Sequence, residues 1–175
     1  AESIRVLMAS DVHRLDVRAE SVVWVTDGQS RSHSFKTSLH IELRGAALLL
    51  NGTRVVGEQI TLRAGDHDLK LWLPRASGGT HGVALQPADE RGALHVSGLV
   101  HLVRRGKGLL VINQVDLEEY VKGVVPAEVN STWHAEMLKV QAVAARTYAL
   151  YQHMLSASRD YDVAASIQDQ VYRGR

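Results

Sequence analysis

Cysteine is missing altogether from these 175 residues, phenylalanine occurs once and proline three times. Without thiols the chain can form neither disulfides nor thiolate-ligated metal sites. No uninterrupted run of about 18 apolar residues occurs, so the sequence offers no membrane-spanning helix. An excess of one charge is absent too: 20 basic against 19 acidic residues leave +1. That balance gives no long-range field for nucleic acid or an anionic membrane. The nine histidines are scattered without metal-ligand spacing, so no metal is expected; no cofactor is expected. The chain begins Ala1-Glu2-Ser3, without Met or a basic-then-apolar leader, and the expectation is a mature terminus with its signal peptide removed.

What is present fits one domain, or a domain with a smaller lobe. Apolar residues make up 45% and charged residues 22%, ordinary values for a chain that buries a core. Up to a composition boundary near Asn113 the text is short β-type runs between Gly, Asp and Asn. Leu39, Ile41 and Leu43 alternate with His40, Glu42 and Arg44, the period of a half-buried strand. Leu48-Leu49-Leu50 stops at Asn51-Gly52, the strongest hairpin signal in the chain. Further strands are predicted at 4–8, 15–19, 22–25, 54–56, 60–63 and 69–73. Leu94 to Val103 and Leu109 to Asn113 read as one hairpin turned at Arg105-Gly106-Lys107-Gly108. The two basic residues of that turn could meet a ligand anion, although a solvated turn is the commoner reason for them. The pattern therefore predicts an α+β fold: a mostly antiparallel β-rich lobe over residues 1–93, then a helical core over 94–175.

All five tyrosines lie at or after Tyr120, and the helical pattern is concentrated there. Asp116 followed by Glu119 is a capping box, which assigns Glu118 and Glu119 to a helix start rather than a catalytic pair. This helix is expected to break at Gly123, cross an apolar loop at Val124-Val125-Pro126, and present one acid, Glu128. A Ser131-Thr132 signal then opens a long helix of about 133–155. Trp133, Met137, Val140, Ala144, Tyr148, Tyr151 and Leu155 share one face, and Leu138, Ala142, Ala145 and Ala149 share the opposite one. Apolar on nearly every side, it is predicted to be buried and central. Lys139, Arg146 and His153, seven residues apart, form its narrow polar stripe; they are either its wet edge or, for Arg146, part of a cleft shared with Glu128.

The run Leu117-Glu118-Glu119-Tyr120-Val121-Lys122-Gly123-Val124-Val125-Pro126-Ala127-Glu128, followed by Trp133, Glu136 and the stretch from Leu138 to Ala149, resembles the SpoIID/LytB family signature. Gln170-Val171-Tyr172-Arg173-Gly174 resembles that family's Q-x-Y-x-G motif. Members include lytic transglycosylases of peptidoglycan and enhancers of cell-wall amidases. The resemblance implies an extracytoplasmic protein, in periplasm or cell wall, whose partners are glycan strands and, in the enhancer reading, an amidase. Glu128 matches the family's catalytic acid and Arg146 a residue of its active site. Gln170 and Tyr172 become candidate sugar contacts, with packing of the terminal loop onto the helix as their other reading. Family domains run on past Q-x-Y-x-G, so the core is expected to be cut short at its C-terminal end.

Overall fold

Alternating side chains decide which face of each strand turns inward. The computed structural model describes residues 2–36, 38–65, 68–74, 92–128 and 132–165, with side chains in the first helix described as far as Val125. The strands are β1 (Ser3–Val12), β2 (Arg14–Arg18), β3 (Val23–Thr26), β4 (Ser32–Phe35), β5 (Leu39–Arg44), β6 (Ala47–Leu50), β7 (Thr53–Val55), β8 (Gln59–Ala64), β9 (Leu69–Trp72), β10 (Leu94–Val96), β11 (Leu99–Arg105), β12 (Gly108–Asp116) and β13 (Val163–Ala164). Helices α1 (Leu117–Glu128) and α2 (Ala135–Leu155) lie between β12 and β13. None of the described helices is long and apolar enough to cross a membrane.

One sheet runs β13-β1-β12-β11-β8-β3-β4 and the other β10-β9-β2-β5-β6-β7. Both draw strands from either side of residue 93. Every pairing is antiparallel except β1 with β13. Inward residues such as Val6 of β1 and Leu62 of β8 meet Val17 of β2 and Ile41 of β5 in one shared core, a sandwich of two sheets. The Asn51-Gly52 hairpin forms as its sequence predicts, both residues having positive φ (48° and 84°). β4 went unpredicted, because Ser32-His33-Ser34-Phe35 carries too little apolar alternation to announce a strand.

Leu94 to Val103 is not one strand. The chain leaves one sheet after Val96 and enters the other at Leu99, turning at Gly98 with φ 75°. A Cβ at residue 98 would collide with the carbonyl oxygen of Gln114, so glycine is required for both reasons. The fully buried Asn113 clamps the crossover: its Nδ2 donates to the carbonyls of Ser97 (2.8 Å) and Leu99 (3.0 Å).

The helices correct three expectations. First, α1 does not break at Gly123 but runs on to Glu128, which closes a helix rather than sitting on a loop. Leu117, Tyr120, Val121 and Val124 form a buried i, i+3, i+4, i+7 stripe. Burying such side chains is worth about 1.5–3 kcal/mol each, more than the roughly 1 kcal/mol that a helical glycine costs. Pro126 falls in the last turn, where it forfeits one helical bond. Second, α2 is capped by His134, whose Nδ1 accepts from the Glu136 N–H at 3.2 Å, not by Ser131-Thr132. Third, α2 is not buried all round. Ala145 and Ala149 are fully buried while Met137, Val140, Tyr151 and Leu155 are exposed. Short side chains let α1 approach the alanine face closely, and that contact leaves the larger apolar residues outside.

Beyond α2 the chain returns to β1 through a clasp. The Asp162 carboxylate accepts from the Arg5 backbone N–H (2.8 Å), Arg5 Nη2 (2.9 Å), His153 Nδ1 (3.1 Å) and the Ser156 hydroxyl. Arg5 also donates to the carbonyls of Ser156 (3.0 Å) and Arg159 (2.8 Å), both in the turn that follows α2. Desolvation is the largest influence on the Asp162 carboxyl and raises its pKa, but the hydrogen bonds from Arg5, Ser156 and His153 together hold it below the usual 3.8.

Two predictions follow from this frame. Asn113→Leu leaves the Ser97 and Leu99 carbonyls without their donor and should lower unfolding free energy by about 1–3 kcal/mol, read from urea denaturation; an unchanged midpoint would remove Asn113 from the crossover. Because the folded pKa of Asp162 is depressed, its stabilisation is whole above its unfolded value and disappears as pH falls through the folded one. Asp162→Asn should therefore cost about 3–5 kcal/mol near neutral pH, and the difference from the parent should shrink as both are unfolded at increasingly acid pH.

Candidate functional site

The junction of β12, α1 and α2 gathers the residues that the sequence marks as chemical. Asp116, the last residue of β12, accepts the Glu118 N–H at Oδ1 (2.9 Å) and so starts α1 as the capping signal predicts. Glu119 pairs with Lys122 one turn on (3.0 Å). With Leu117, Tyr120 and Val121 facing the core, Glu118 is left on the exposed side of the first turn.

Arg146 comes from α2, beside the buried Ala145. Its Nε donates to Glu118 Oε1 and its Nη2 to Oε2, both at 2.8 Å, a two-pronged ion pair between the helices. These hydrogen bonds are the main reason the Glu118 carboxyl lies below its ordinary range; partial burial opposes them, and the charges of Arg146 and Lys122 assist. The same contact raises the Arg146 guanidinium above its usual value. The pair occupies one edge of the guanidinium, and among the described residues no acceptor meets the Nη1 side.

The rest of the polar stripe is engaged as well. Lys139 pairs with Glu136 (3.2 Å), and His153 meets Asp162 through Nδ1 (3.1 Å) and approaches Glu2 through Nε2 (3.7 Å). At the β11–β12 turn, Arg105 holds Asp160 with a second two-pronged pair (2.9 and 2.8 Å), neither a free anion site nor simple solvation. Among the described residues no three His, Asp or Glu side chains gather as metal ligands would.

The structure thus brings Arg146 onto Glu118, a partner that the sequence reading had assigned only to a helix start. The available signal was the spacing of Lys139, Arg146 and His153, which places three polar residues along one border of the alanine face. Glu128 is the last residue of α1, four positions after Val124 and seven after Val121, both buried. Its side chain, and both Gln170 and Tyr172, lie outside the described residues.

The Glu118–Arg146 contact is open to a direct test. Arg146→Lys keeps the charge but cannot make a two-pronged bond, so the Glu118 carboxyl should titrate closer to its ordinary range in carboxyl-carbon NMR. An unchanged titration would mean that the contact does not form in solution.

Comparison with known proteins bears on the same segment. The family described as SpoIID, stage II sporulation protein, matches residues 105–175. An uncharacterized protein of Brachyspira hyodysenteriae is 46% identical over 68 residues, which cover 38% of this chain and 18% of that relative. No solved structure matches. The matched residues begin at the β11–β12 turn and take in α1, Glu118, Glu128, α2 and Arg146. Through residues 105–175 the chain is similar to the SpoIID family.

Proposed function

We propose that this protein acts on peptidoglycan outside the cytoplasm as a lytic transglycosylase, with Glu128 as its general acid and base. The observation that supports this most is the position of Glu128 at the C-terminal end of a continuous helix, in line with the buried Val121 and Val124. The negative end of the helix dipole disfavours a carboxylate and so favours the neutral form that an acid catalyst needs near neutral pH. Arg146, which would counteract this if it met Glu128 directly, is held by Glu118.

The reaction needs one carboxyl group. Glu128 gives its proton to the oxygen bridging N-acetylmuramic acid and N-acetylglucosamine as positive charge develops at C1. The bond from C1 to that oxygen breaks, and the carboxylate left behind takes the proton of the muramic acid 6-hydroxyl. The oxygen so freed bonds to C1, closing a 1,6-anhydro ring without water. Arg146 through its Nη1 side, Gln170 and Tyr172 are the proposed sugar contacts, Tyr172 by ring stacking and its hydroxyl.

A second reading, glycan binding without cleavage or activation of a cell-wall amidase, draws on the outer faces of the sheets. Trp24 and Trp72 alternate with core residues on β3 and β9 and so face outward, each beneath an arginine, Arg63 at 5.4 Å and Arg18 at 5.7 Å. Half-buried aromatic rings that face outward from a sheet suit sugar stacking.

Digestion of glycan strands stripped of stem peptides separates the two. The lytic reading expects anhydro-ended fragments by mass spectrometry and a loss of at least about a hundredfold in Glu128→Gln. Binding without such products, or amidase stimulation that survives Glu128→Ala, would select the second reading.

A further inference from the structure

Seven of the large apolar side chains that the described structure leaves exposed lie on α2 or just ahead of its cap; Val56 is the other. Their arrangement is regular. Met137, Val140, Ala144, Thr147, Tyr151 and Met154 are all exposed and follow one another at intervals of three, four, three, four and three residues. A surface helix that packs onto its own domain carries a broader apolar arc on the inward side. Here the inward side is the alanine face, and the strict three-four seam points away from the body, the spacing by which one helix packs along another.

We propose that this seam is a homodimer interface in which α2 lies antiparallel against α2 of a second copy. In that pairing Met137 packs on the partner's Met154, Val140 on the partner's Tyr151, and Ala144 on the partner's Thr147, and the twofold axis repeats each layer. Every layer then matches residues of compatible bulk, with the smallest at the centre, where the helices come closest. A parallel pairing would set Tyr151 on its own copy and Ala144 on its own copy, giving layers of very different width.

Charge agrees with self-association. No seam position is ionisable at neutral pH, and Glu136 and Lys139 beside it neutralise each other at 3.2 Å. Val143 and Leu155 extend the apolar surface on either flank. With Trp133 included, the exposed surface comes to roughly 700 Å² at about 150–250 Å² for a large side chain. That exceeds the largest patch usual on a monomer, about 300–600 Å², and approaches the ~800 Å² per partner of a standard interface. The inference stands apart from the glycan chemistry, since no seam residue is placed in the reaction.

Sedimentation velocity over a range of micromolar concentrations tests it. The parent should dimerise. Val140→Glu and Tyr151→Lys, both at exposed positions, should each be monomeric with an unchanged circular dichroism spectrum. Mixing the two variants should restore a dimer, because antiparallel packing sets residue 140 against residue 151. A parent that stays monomeric, a dimer that Val140→Glu leaves intact, or a mixture that fails to pair would each overturn the proposal. So would a seam that binds lipid vesicles of mixed neutral and anionic headgroups while the protein remains monomeric.

Discussion

The ion pair between Arg5 and Asp162 holds together parts of the chain that no local rule would join. Asp162 has no exposed side-chain surface, and four donors converge on it. A buried carboxylate is tolerable only when its lone pairs are met in this way. Because two of those donors belong to Arg5, the first strand, the end of α2 and the parallel β13 are fixed relative to one another. The arginine closes the arrangement by meeting the carbonyls of Ser156 and Arg159. What lies between the two residues, both sheets and the helical pair, is built within that closure.

Inside it, the helices are set by size rather than by polarity. Ala142, Ala145 and Ala149 let α1 approach, and Tyr120, Val121 and Val124 fill the space beyond. This contact brings Arg146 within reach of Glu118 and carries α1 through Gly123 to Glu128. The same preference for small residues inward puts Met137, Val140, Tyr151 and Met154 outward. The junction read as a reaction site and the seam read as a contact surface are therefore opposite sides of one packing choice. A change that widened the helix–helix distance would alter both.

Much of the β architecture was readable beforehand because alternation has a period of two and leaves little ambiguity where one face is wet. Leu39 to Arg44 and the Asn51-Gly52 turn are examples. The crossover at Gly98 was not readable, since Leu94 to Val103 alternates as one strand would, and only the partners of each half show that the chain changes sheets. Likewise Asn113 looked like the polar end of a strand; its part as a clamp depends on Ser97 and Leu99 lying opposite it. Glu118 looked like a helix start and is one, yet its carboxylate is held by a residue 28 positions away.

From the amino-acid order alone came the α+β class, the long helix, the turn chemistry and the resemblance to SpoIID over residues 105–175, because each rests on spacing or on a local run of residues. Which face of α2 turns inward, whether α1 passes through Gly123, and which acid Arg146 holds were decided by the assembled fold. A helix rich in apolar residues all round has several faces that could be buried. The choice among them falls to the neighbour that can come closest, and closeness depends on residues far away in the chain.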